Sequence, residues 1–307
     1  MIPLFVETDI HDDVDDVGAL AVAHVLDLAG RIRLQGINVN TASVWGPRLV
    51  RAINRYYGSD VPVGAQIPAS GTTGPEEFVR GTSRLFGTDD AQPDDEAIAL
   101  FRRVLAGAPE GGITVVSLGF FGNLTGLLAS GPDEVSPLTG AELARRAVAR
   151  TVVMGGCFGG GPADAAALPE YNFAEDPERT RVFLRDWPGP IDFVGWETGY
   201  DVVTGRGLLA AHGRESPVST AYQLHSGFGN GRPSWDLIAV LLAADPGWEA
   251  FEWSGPGEAG IDGLAVTSWV PGVHGRHRHA IRRAAPEEVA AELDTLLLRR
   301  AGASLPV

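Results

Sequence analysis

The sequence predicts an α/β fold with a mainly parallel central sheet flanked by helices, and three observations support this prediction. Strand-like and helix-like patterns alternate from the N-terminus onward, which is typical of successive βαβ units. Fully apolar runs such as Ile113–Leu118 are typical of parallel strands that are buried on both faces. No internal repeat or linker divides the 307 residues, so we expect a single domain over residues 1–307 with a mostly helical C-terminal part.

The first half of the chain shows the clearest alternation. The predicted strands are Ile2–Val6, Ile32–Asn40, Val61–Gly64 and Ile113–Leu118, and the predicted helices are Val17–Leu28, Pro47–Tyr57 and Asp94–Ala106. The second of these helices is followed by Gly58, the residue type preferred where a helix ends in a left-handed conformation. The segment Pro68–Pro93 is rich in Gly, Thr, Pro and acidic residues and predicts a surface excursion.

The second half continues the pattern with shorter elements. The turn Gly119–Leu124 opens a helix, and two further strands are predicted at Thr151–Met154 and Ile191–Val194. A mostly helical part begins at Ser219 and is interrupted by the glycine-rich break Gly227–Gly231. Its remaining predicted elements are short strands at Phe251–Trp253, Leu264–Trp269 and His277–Ile281 and a final helix at Pro286–Arg300.

Composition excludes several classes of protein. The net charge is −15 and no lysine occurs, so we expect neither a nucleic-acid partner nor an anionic membrane surface as partner. The same absence excludes lysine Schiff-base chemistry and the lysine of a nucleotide-binding P-loop. Cys157 is the only cysteine, which excludes an intramolecular disulfide and a cysteine-rich metal site. No signal peptide or apolar run of about 18 residues is present, so we expect a cytoplasmic protein.

An acid-rich turn near the N-terminus is the strongest functional signal. Six of the ten residues from Glu7 to Asp16 are acidic, and they lie between a predicted strand and a predicted helix. Carboxylates placed together raise each other's pKa unless a positive charge lies among them. Asp9, Asp15 and Asp16 can offer oxygen ligands to a hard cation such as Ca²⁺, although the spacing is not that of an EF-hand. The alternative is helix capping with solvated charge, which needs fewer acids.

Two later segments are candidates for the same site. Glu170-Tyr171-Asn172-Phe173 follows a strand and a glycine-rich loop, so Glu170 and Asn172 are expected at the same edge of the sheet, where they could bind sugar hydroxyls. Asp236 opens a helix and would be either an N-cap or a further carboxylate for the cation. Trp235 before it would either stack on a planar ring or belong to the core.

Taken together, these motifs resemble those of the nucleoside hydrolases, a family of calcium-dependent N-ribohydrolases with a Rossmann-like fold. Residues Glu7 to Asp16 resemble a longer variant of the family's opening motif, D-T-D-I-G-x-D-x-D-D, with Glu7 and His11 in place of Asp and Gly. Leu118 to Leu124 is similar to L-G-P-L-T-N-L. Glu170-Tyr171-Asn172 is similar to the ribose-binding E-F-N motif, and Asp236 matches the C-terminal calcium aspartate. The resemblance covers most of the chain.

The resemblance implies a function and a role for each matching residue. It implies hydrolysis of the N-glycosidic bond of a small-molecule nucleoside to free base and ribose, with Ca²⁺ as cofactor and a homodimer or homotetramer as the assembly. The implied metal ligands are Asp9, Asp16, Asp236 and the Gly122 carbonyl. Asp9 would be the general base, and Asp15 would bind the 2′-hydroxyl. Glu170 and Asn172 would hold the rest of the sugar, which fits an oxocarbenium-like transition state.

The resemblance does not supply the group that activates the leaving base. The best-known members carry a histidine before the C-terminal calcium aspartate, and this chain carries Trp235. One alternative is a general acid, for which His225, Tyr222 and, as a third choice, His11 are candidates. The other is stacking of the base on Trp235 or Trp196, after which solvent protonates it. Two further functions stay open: hydrolysis of a modified nucleoside or other ribosyl compound, and non-catalytic binding of ribose or calcium.

Overall fold

The computed structural model describes residues 1–11, 13–66, 76–159, 161–162 and 167–300. The strands in these residues are β1 (Ile2–Thr8), β2 (Ile32–Val39), β3 (Val63–Ala65), β4 (Asp95–Glu96), β5 (Ile113–Ser117), β6 (Val148–Met154), β7 (Ile191–Val194), β8 (Val203–Thr204), β9 (Arg232–Pro233), β10 (Phe251–Trp253), β11 (Gly257–Ile261), β12 (Thr267–Pro271) and β13 (His277–Arg282). The helices are α1 (Asp15–Leu28), α2 (Trp45–Tyr57), α3 (Glu77–Leu85), α4 (Ala97–Gly107), α5 (Gly122–Ala129), α6 (Gly140–Ala147), α7 (Tyr171–Glu175), α8 (Pro177–Asp186), α9 (Leu208–His212), α10 (Pro217–Ser226), α11 (Asp236–Ala244) and α12 (Pro286–Leu297).

The central sheet is mixed and mostly parallel, as the sequence predicts. Its order is β12-β11-β13-β7-β6-β5-β1-β2-β3-β4, and every pairing from β13 to β4 is parallel. Strands β10, β11 and β12 extend it with antiparallel pairings. The chain runs outward in both directions from β1, because β2 lies on one side of it and β5 on the other. Open α/β sheets bind ligands beyond the carboxyl ends of the strands where the order reverses, which here is β1 and β5.

The two faces of the sheet bury separate apolar cores. On β1, Leu4 and Val6 point into one core and Phe5 points into the other, as the two-residue period of a strand requires. The first core packs β1 and β2 against α1, α2, α11 and α12. In the second, Phe5 stacks on Phe101 of α4 with ring centroids 4.3 Å apart. Helices therefore cover both faces and leave the strand ends open.

Helix α1 is buried on nearly all sides, which fits its sequence of small and apolar residues. Gly18 allows α10 to approach, because a Cβ at this position would lie 2.4 Å from the hydroxyl of Tyr222. The helix begins directly after the acidic turn and carries Asp15 and Asp16 in its first turn. The positive end of the helix dipole, at the N-terminus of α1, favours their negatively charged forms.

Several predicted elements need correction. Residues 67–75 of the predicted excursion Pro68–Pro93 lie outside the described residues, but the excursion also contains α3, which buries Phe78 and Val79. The strand predicted at Leu264–Trp269 begins only at Thr267, because Ala265 adopts a left-handed φ of 64° in the turn before it. The final helix ends at Leu297 instead of Arg300. Among the described residues, no helix is both long and apolar enough to cross a membrane.

Candidate active site

The acidic turn lies at the carboxyl end of β1, as predicted. Asp9 follows the last residue of β1 directly, and Asp15 and Asp16 begin α1. All three carboxylate side chains line one cavity of about 420 Å³. Asp236 enters the same cavity from the first residue of α11, so residues far apart in sequence are brought together at this sheet edge.

Asp9, Asp16 and Asp236 converge closely enough to share one cation. Each is buried and offers a carboxylate oxygen, and the three oxygens lie within 4.8 Å of one another. Among the described residues these three form the one such group of acidic, histidine or cysteine side chains. One oxygen of Asp16 accepts the Thr8 hydroxyl, and its other oxygen, Oδ2, is buried with no hydrogen-bond partner in the described part of the chain. An unpartnered buried carboxylate oxygen is costly, and a cation would compensate it.

The pKa directions at this cluster follow from burial and from mutual repulsion. Burial, and then the charges of Asp9 and Asp15, raise the pKa of Asp16 well above its ordinary value. Burial and the neighbouring aspartates likewise raise the pKa of Asp236. A divalent cation among these oxygens would reverse the balance, because opposite charge favours the ionised form. Hard oxygen ligands suit a cation of the calcium or magnesium type, so the residues fit a metal of this class.

Asp15 connects the acidic turn to α11. Its Oδ2 accepts the backbone N–H groups of Trp235 at 3.0 Å and of Asp236 at 3.2 Å. It therefore satisfies donors at the start of α11 that the helix itself leaves unpaired. Burial, and then the charge of Asp13, raise the pKa of Asp15 well above its usual range. Asp15 both positions Asp236 and lines the cavity.

The loop after β5 approaches Asp9 through a glycine. A Cβ at Gly119 would lie 2.4 Å from the Asp9 carboxyl carbon, so only glycine fits without displacing that carboxylate. Asn123 of α5 donates to Glu7 at 2.8 Å, and Asn38 of β2 donates to the other Glu7 oxygen at 2.8 Å. Glu7 thus joins β1, β2 and α5 inside the protein, and burial raises its pKa to about 7.

Gly122, the predicted carbonyl ligand, is the first residue of α5. Its carbonyl accepts the Thr125 hydroxyl at 3.1 Å, and it adjoins Asn123, which contacts Glu7. Gly122 does not belong to the residues that line the cavity. Its role as a ligand therefore stays a prediction.

The predicted sugar-binding pair lies on the cavity wall beyond β6. Glu170 and Asn172 are buried and line the cavity. The Glu170 carboxylate caps α7 by accepting the N–H groups of Asn172 and Phe173, and it also accepts that of Gly156. The Asn172 amide nitrogen donates to the carbonyl oxygens of Leu118 and Met154. These contacts hold both side chains rigidly at the cavity.

An aromatic wall closes another part of the cavity. Trp196 and Trp235 both line it, and the indole N–H of Trp235 donates to the Trp196 carbonyl at 2.7 Å. Trp196 stacks on Tyr200 with centroids 4.9 Å apart. The guanidinium of Arg232 lies 5.7 Å from the Trp235 ring centroid and is ion-paired with Asp13. Both of the tryptophans predicted to contact the substrate are thus present at the cavity.

The three predicted leaving-group acids do not line this cavity. Tyr222 is buried against Gly18 of α1, and burial raises its pKa well above the ordinary value, which disfavours proton donation. His225 has its Nε2 3.8 Å from an Asp13 oxygen, and its ring is nearly perpendicular to that of Phe78. His11 is buried, with Nε2 3.7 Å from Glu76.

The sequence reasoning missed several residues at the site. Arg232 and Tyr171 line the cavity, as does Asp13, whose part in the site the sequence leaves undefined. Asn40 is not a lining residue, but it follows β2 next to β1: its backbone N–H donates to the Thr8 carbonyl at 2.9 Å, and no described residue pairs with its buried amide atoms. A polar residue directly after the strand next to β1 was the signal that would have found Asn40. Arg232 follows a glycine-rich break and has no such signal.

The fold and the cavity define an α/β protein with a buried cluster of carboxylates at the carboxyl end of its parallel sheet, and comparison with known proteins names the family. The family described as inosine-uridine preferring nucleoside hydrolase matches residues 4–292. The chain therefore belongs to the nucleoside hydrolase family. Members of this family depend on a metal and act on nucleosides. Among proteins with curated descriptions, none matches the chain by sequence.

Solved structures share the fold at low sequence identity. An inosine-uridine preferring nucleoside hydrolase from Bacillus anthracis is 16% identical with a TM-score of 0.69, covering 97% of this chain and 99% of that one. The plant nucleoside hydrolase PpNRh1 is 18% identical with a TM-score of 0.68 and the same coverage. The type III effector protein XopQ, solved with adenosine diphosphate ribose, is 18% identical with a TM-score of 0.67, covering 97% and 93%.

Proposed function

We propose that this protein hydrolyses the N-glycosidic bond of ribonucleosides to free base and ribose, with Ca²⁺ as its metal. The convergence of Asp9, Asp16 and Asp236 within 4.8 Å, in one cavity with Glu170 and Asn172, carries the proposal. The family membership supports the same chemistry. We extend the proposal to a single domain over residues 1–307.

The proposed ligands are one carboxylate oxygen each from Asp9, Asp16 and Asp236, together with the Gly122 carbonyl. Bound there, Ca²⁺ would supply the positive charge that orients ribose hydroxyls and lowers the pKa of a nearby water. The unpartnered Oδ2 of Asp16 is an observation that supports such a cation.

Asp9 is the proposed general base. It lies at the end of a rigid parallel strand, and the loop at Gly119 packs against its carboxylate, so its position is defined on two sides. A carboxylate held in this way can take a proton from the attacking water as the C1′–N bond breaks. The proton moves to Asp9, the hydroxyl joins C1′, and the electron pair of the broken bond leaves with the base.

Asp15, Glu170 and Asn172 are proposed to hold the sugar. Asp15 would accept the 2′-hydroxyl, and Glu170 and Asn172 would bind the remaining hydroxyls. All three are buried and fixed by backbone contacts, so they are preorganised before ribose binds. Negative groups around the sugar also favour the positive charge that develops on an oxocarbenium-like ribosyl.

The leaving base is proposed to stack on the wall formed by Trp196 and Trp235. Both rings line the cavity, whereas His225, Tyr222 and His11 do not. A base held against an aromatic face can be protonated by solvent as it departs. This route replaces a histidine acid at the Trp235 position.

Release of ribose tests the proposal. Purified protein with added Ca²⁺ is incubated with inosine, adenosine, guanosine, uridine and cytidine, and reducing sugar is measured. We expect turnover of at least one nucleoside and a loss of about 10²- to 10⁴-fold in kcat for Asp9→Asn. Asp89→Asn is the matched control, because Asp89 is exposed and does not line the cavity. Equal activity of Asp9→Asn and wild type would contradict the role of Asp9.

A second candidate is a ribosyl compound other than a common nucleoside. The XopQ neighbour was solved with adenosine diphosphate ribose, which favours a larger ribosyl ligand in this fold. Saturable ribose binding without release of sugar from any of the five nucleosides would select this candidate, or non-catalytic binding of ribose or calcium. Turnover of a modified ribosyl compound would then separate those two.

A further inference from the structure

Among the described residues that line the cavity, Arg232 is the one with a cationic side chain. The other charged lining residues are carboxylates: Asp9, Asp13, Asp15, Asp16, Glu170 and Asp236. A cation shared by Asp9, Asp16 and Asp236 accounts for positive charge at one end of the cavity, but not for an arginine beside the aromatic wall. Nothing in the proposed hydrolysis uses this guanidinium.

The backbone holds Arg232 in place. Strand β9 pairs with β8 so that Arg232 lies opposite Thr204. Gly231 before it has a φ of 69°, and a Cβ there would lie 2.5 Å from the Thr204 carbonyl oxygen. The side chain of Ser234 bonds Thr204 at 2.6 Å. This short ribbon therefore fixes the backbone position of Arg232, and at position 231 only glycine fits without strain.

The ion pair with Asp13 leaves part of the guanidinium available. Nε and Nη2 of Arg232 both donate to the same oxygen of Asp13, Oδ2. Among the described residues none accepts a hydrogen bond from Nη1 of Arg232. The exposed fraction of the Arg232 side chain is 34%. An arginine fork typically binds a carboxylate or phosphate through two nitrogens and two oxygens. The pairing seen here uses one oxygen, so the fork is not matched by its protein partner.

We propose that Arg232 binds an anionic oxygen group of the ribosyl ligand, a carboxylate on the base or a phosphate on the sugar, beside Trp235. This inference rests on the proposed function, because it assigns the sugar to the acidic end of the cavity. The carboxylates elsewhere in the lining repel an anion, so the anionic group has one favourable position. The substrate class is then a ribonucleoside whose base carries a carboxylate, or a phosphorylated ribosyl compound.

Matched ligand pairs test the inference by binding. Nicotinic acid riboside and nicotinamide riboside differ at one group, a carboxylate against an amide, and adenosine 5′-monophosphate and adenosine differ by a phosphate. Dissociation constants are measured by calorimetry with Ca²⁺ present, on Asp9→Asn protein if the wild type turns the ligands over. We expect the anionic member of one pair to bind about tenfold more tightly, which corresponds to about 1.4 kcal/mol. The pair that shows the difference identifies carboxylate or phosphate as the source.

Variants separate an anion receptor from a simple ion pair. Arg232→Gln removes the preference for the anionic ligand. Asp13→Asn frees the guanidinium and so strengthens that preference. The double variant does not show the stronger preference of Asp13→Asn, because the effect of Asp13 acts through Arg232. A structural ion pair predicts instead that both single variants weaken all ligands alike. Arg283→Gln, which breaks the exposed pair with Glu252, is the control and leaves both dissociation constants unchanged.

The outcomes distinguish this inference from the proposed function. Equal affinity for both members of both pairs overturns the role of Arg232, even if nucleosides are hydrolysed. A retained preference for the anionic member without any hydrolysis supports the role of Arg232 and contradicts only the proposed reaction. Thermal unfolding of each variant confirms that it is folded under the conditions of the binding measurement.

Discussion

The Asp15 carboxylate and the backbone N–H of Trp235, 220 positions apart in sequence, form a hydrogen bond of 3.0 Å. The same oxygen accepts the N–H of Asp236, so one carboxylate at the start of α1 caps the start of α11. The acidic turn thereby determines where Trp235 and Asp236 lie. A residue proposed to touch the sugar therefore also positions Asp236, a proposed ligand of the cation.

Asp15→Ala should therefore destabilise the protein by about 1–2 kcal/mol, the usual cost of losing a helix cap. Asp15→Asn keeps an oxygen that can accept the Trp235 and Asp236 N–H groups, so its free energy of unfolding should stay within about 0.5 kcal/mol of wild type or exceed it. Urea unfolding of both variants in the presence of a chelator gives the comparison. An equal loss in the two variants would show that capping is not the role of Asp15.

Gly119→Ala should lower activity while the fold persists. The added Cβ would lie 2.4 Å from the Asp9 carboxyl carbon, so the carboxylate must move. A displacement of this kind at the proposed general base should lower kcat about 100-fold, with a destabilisation of about 1–3 kcal/mol. Ribose release and circular dichroism are the measurements.

Gly131→Ala is the matched control, because a Cβ there meets no atom within 4 Å. It should retain the activity and the stability of the wild type. Full activity of Gly119→Ala would contradict the placement of Asp9 at the reacting water.

The sequence was sufficient for the parts of the fold and site that depend on local patterns. Apolar strands followed by helices predicted the parallel sheet, and six acids in ten residues predicted a site beyond β1. Asp236 is a carboxylate at a helix start that matches the family motif, and it lines the same cavity. Each of these signals lies within a short stretch, so the sequence can carry it.

Features that depend on tertiary pairing were not predictable. Arg232 meets Asp13 across 219 positions, and nothing in the local sequence specifies which carboxylate an arginine will pair with. The sequence makes Tyr222 a candidate acid, and only its packing against Gly18 shows that its hydroxyl is buried. Helix α3 lies in a segment rich in loop-forming residues, so the composition of the segment predicts a loop. The buried residues of the helix are Phe78, Val79, Thr82 and Ser83.

The effect of Asp16→Asn on stability should depend on whether the metal is bound. Without a cation, Asp16 carries an unpartnered buried oxygen beside Asp9, so Asn should equal or exceed the wild type in thermal stability. With Ca²⁺ at 100 times its dissociation constant, the wild type should gain about 2.7 kcal/mol, and Asp16→Asn should gain much less.

Thermal unfolding in chelator and in a Ca²⁺ titration measures both effects. Asp89→Asn, an exposed aspartate, should follow the wild type in each condition. A variant Asp16→Asn that Ca²⁺ stabilises as strongly as it stabilises the wild type would remove Asp16 from the proposed ligands.

Glu197 should make stability depend on pH. It lies in the short 3-10 helix Trp196–Thr198, beside the cavity residue Trp196, and its carboxylate accepts the N–H of Phe158. Burial raises its pKa from 4.5 to about 7, so the folded state binds a proton that the unfolded state releases between these values. The stabilisation is complete below about pH 4.5 and is lost as pH rises toward 7. The loss attributable to Glu197 is at most about 3 kcal/mol.

Glu197→Gln carries no titrating carboxyl, so its free energy of unfolding relative to wild type should rise between pH 4.5 and 7 and level off above that range. Urea unfolding at half-unit pH intervals with Ca²⁺ held constant measures this difference. Glu178→Gln is the matched control, because Glu178 is an exposed glutamate of α8 whose side chain keeps 81% of its exposure. A constant difference between Glu197→Gln and wild type across the range would mean that Glu197 is ionised throughout, and the buried carboxylate would then need a positive partner beyond the Phe158 N–H.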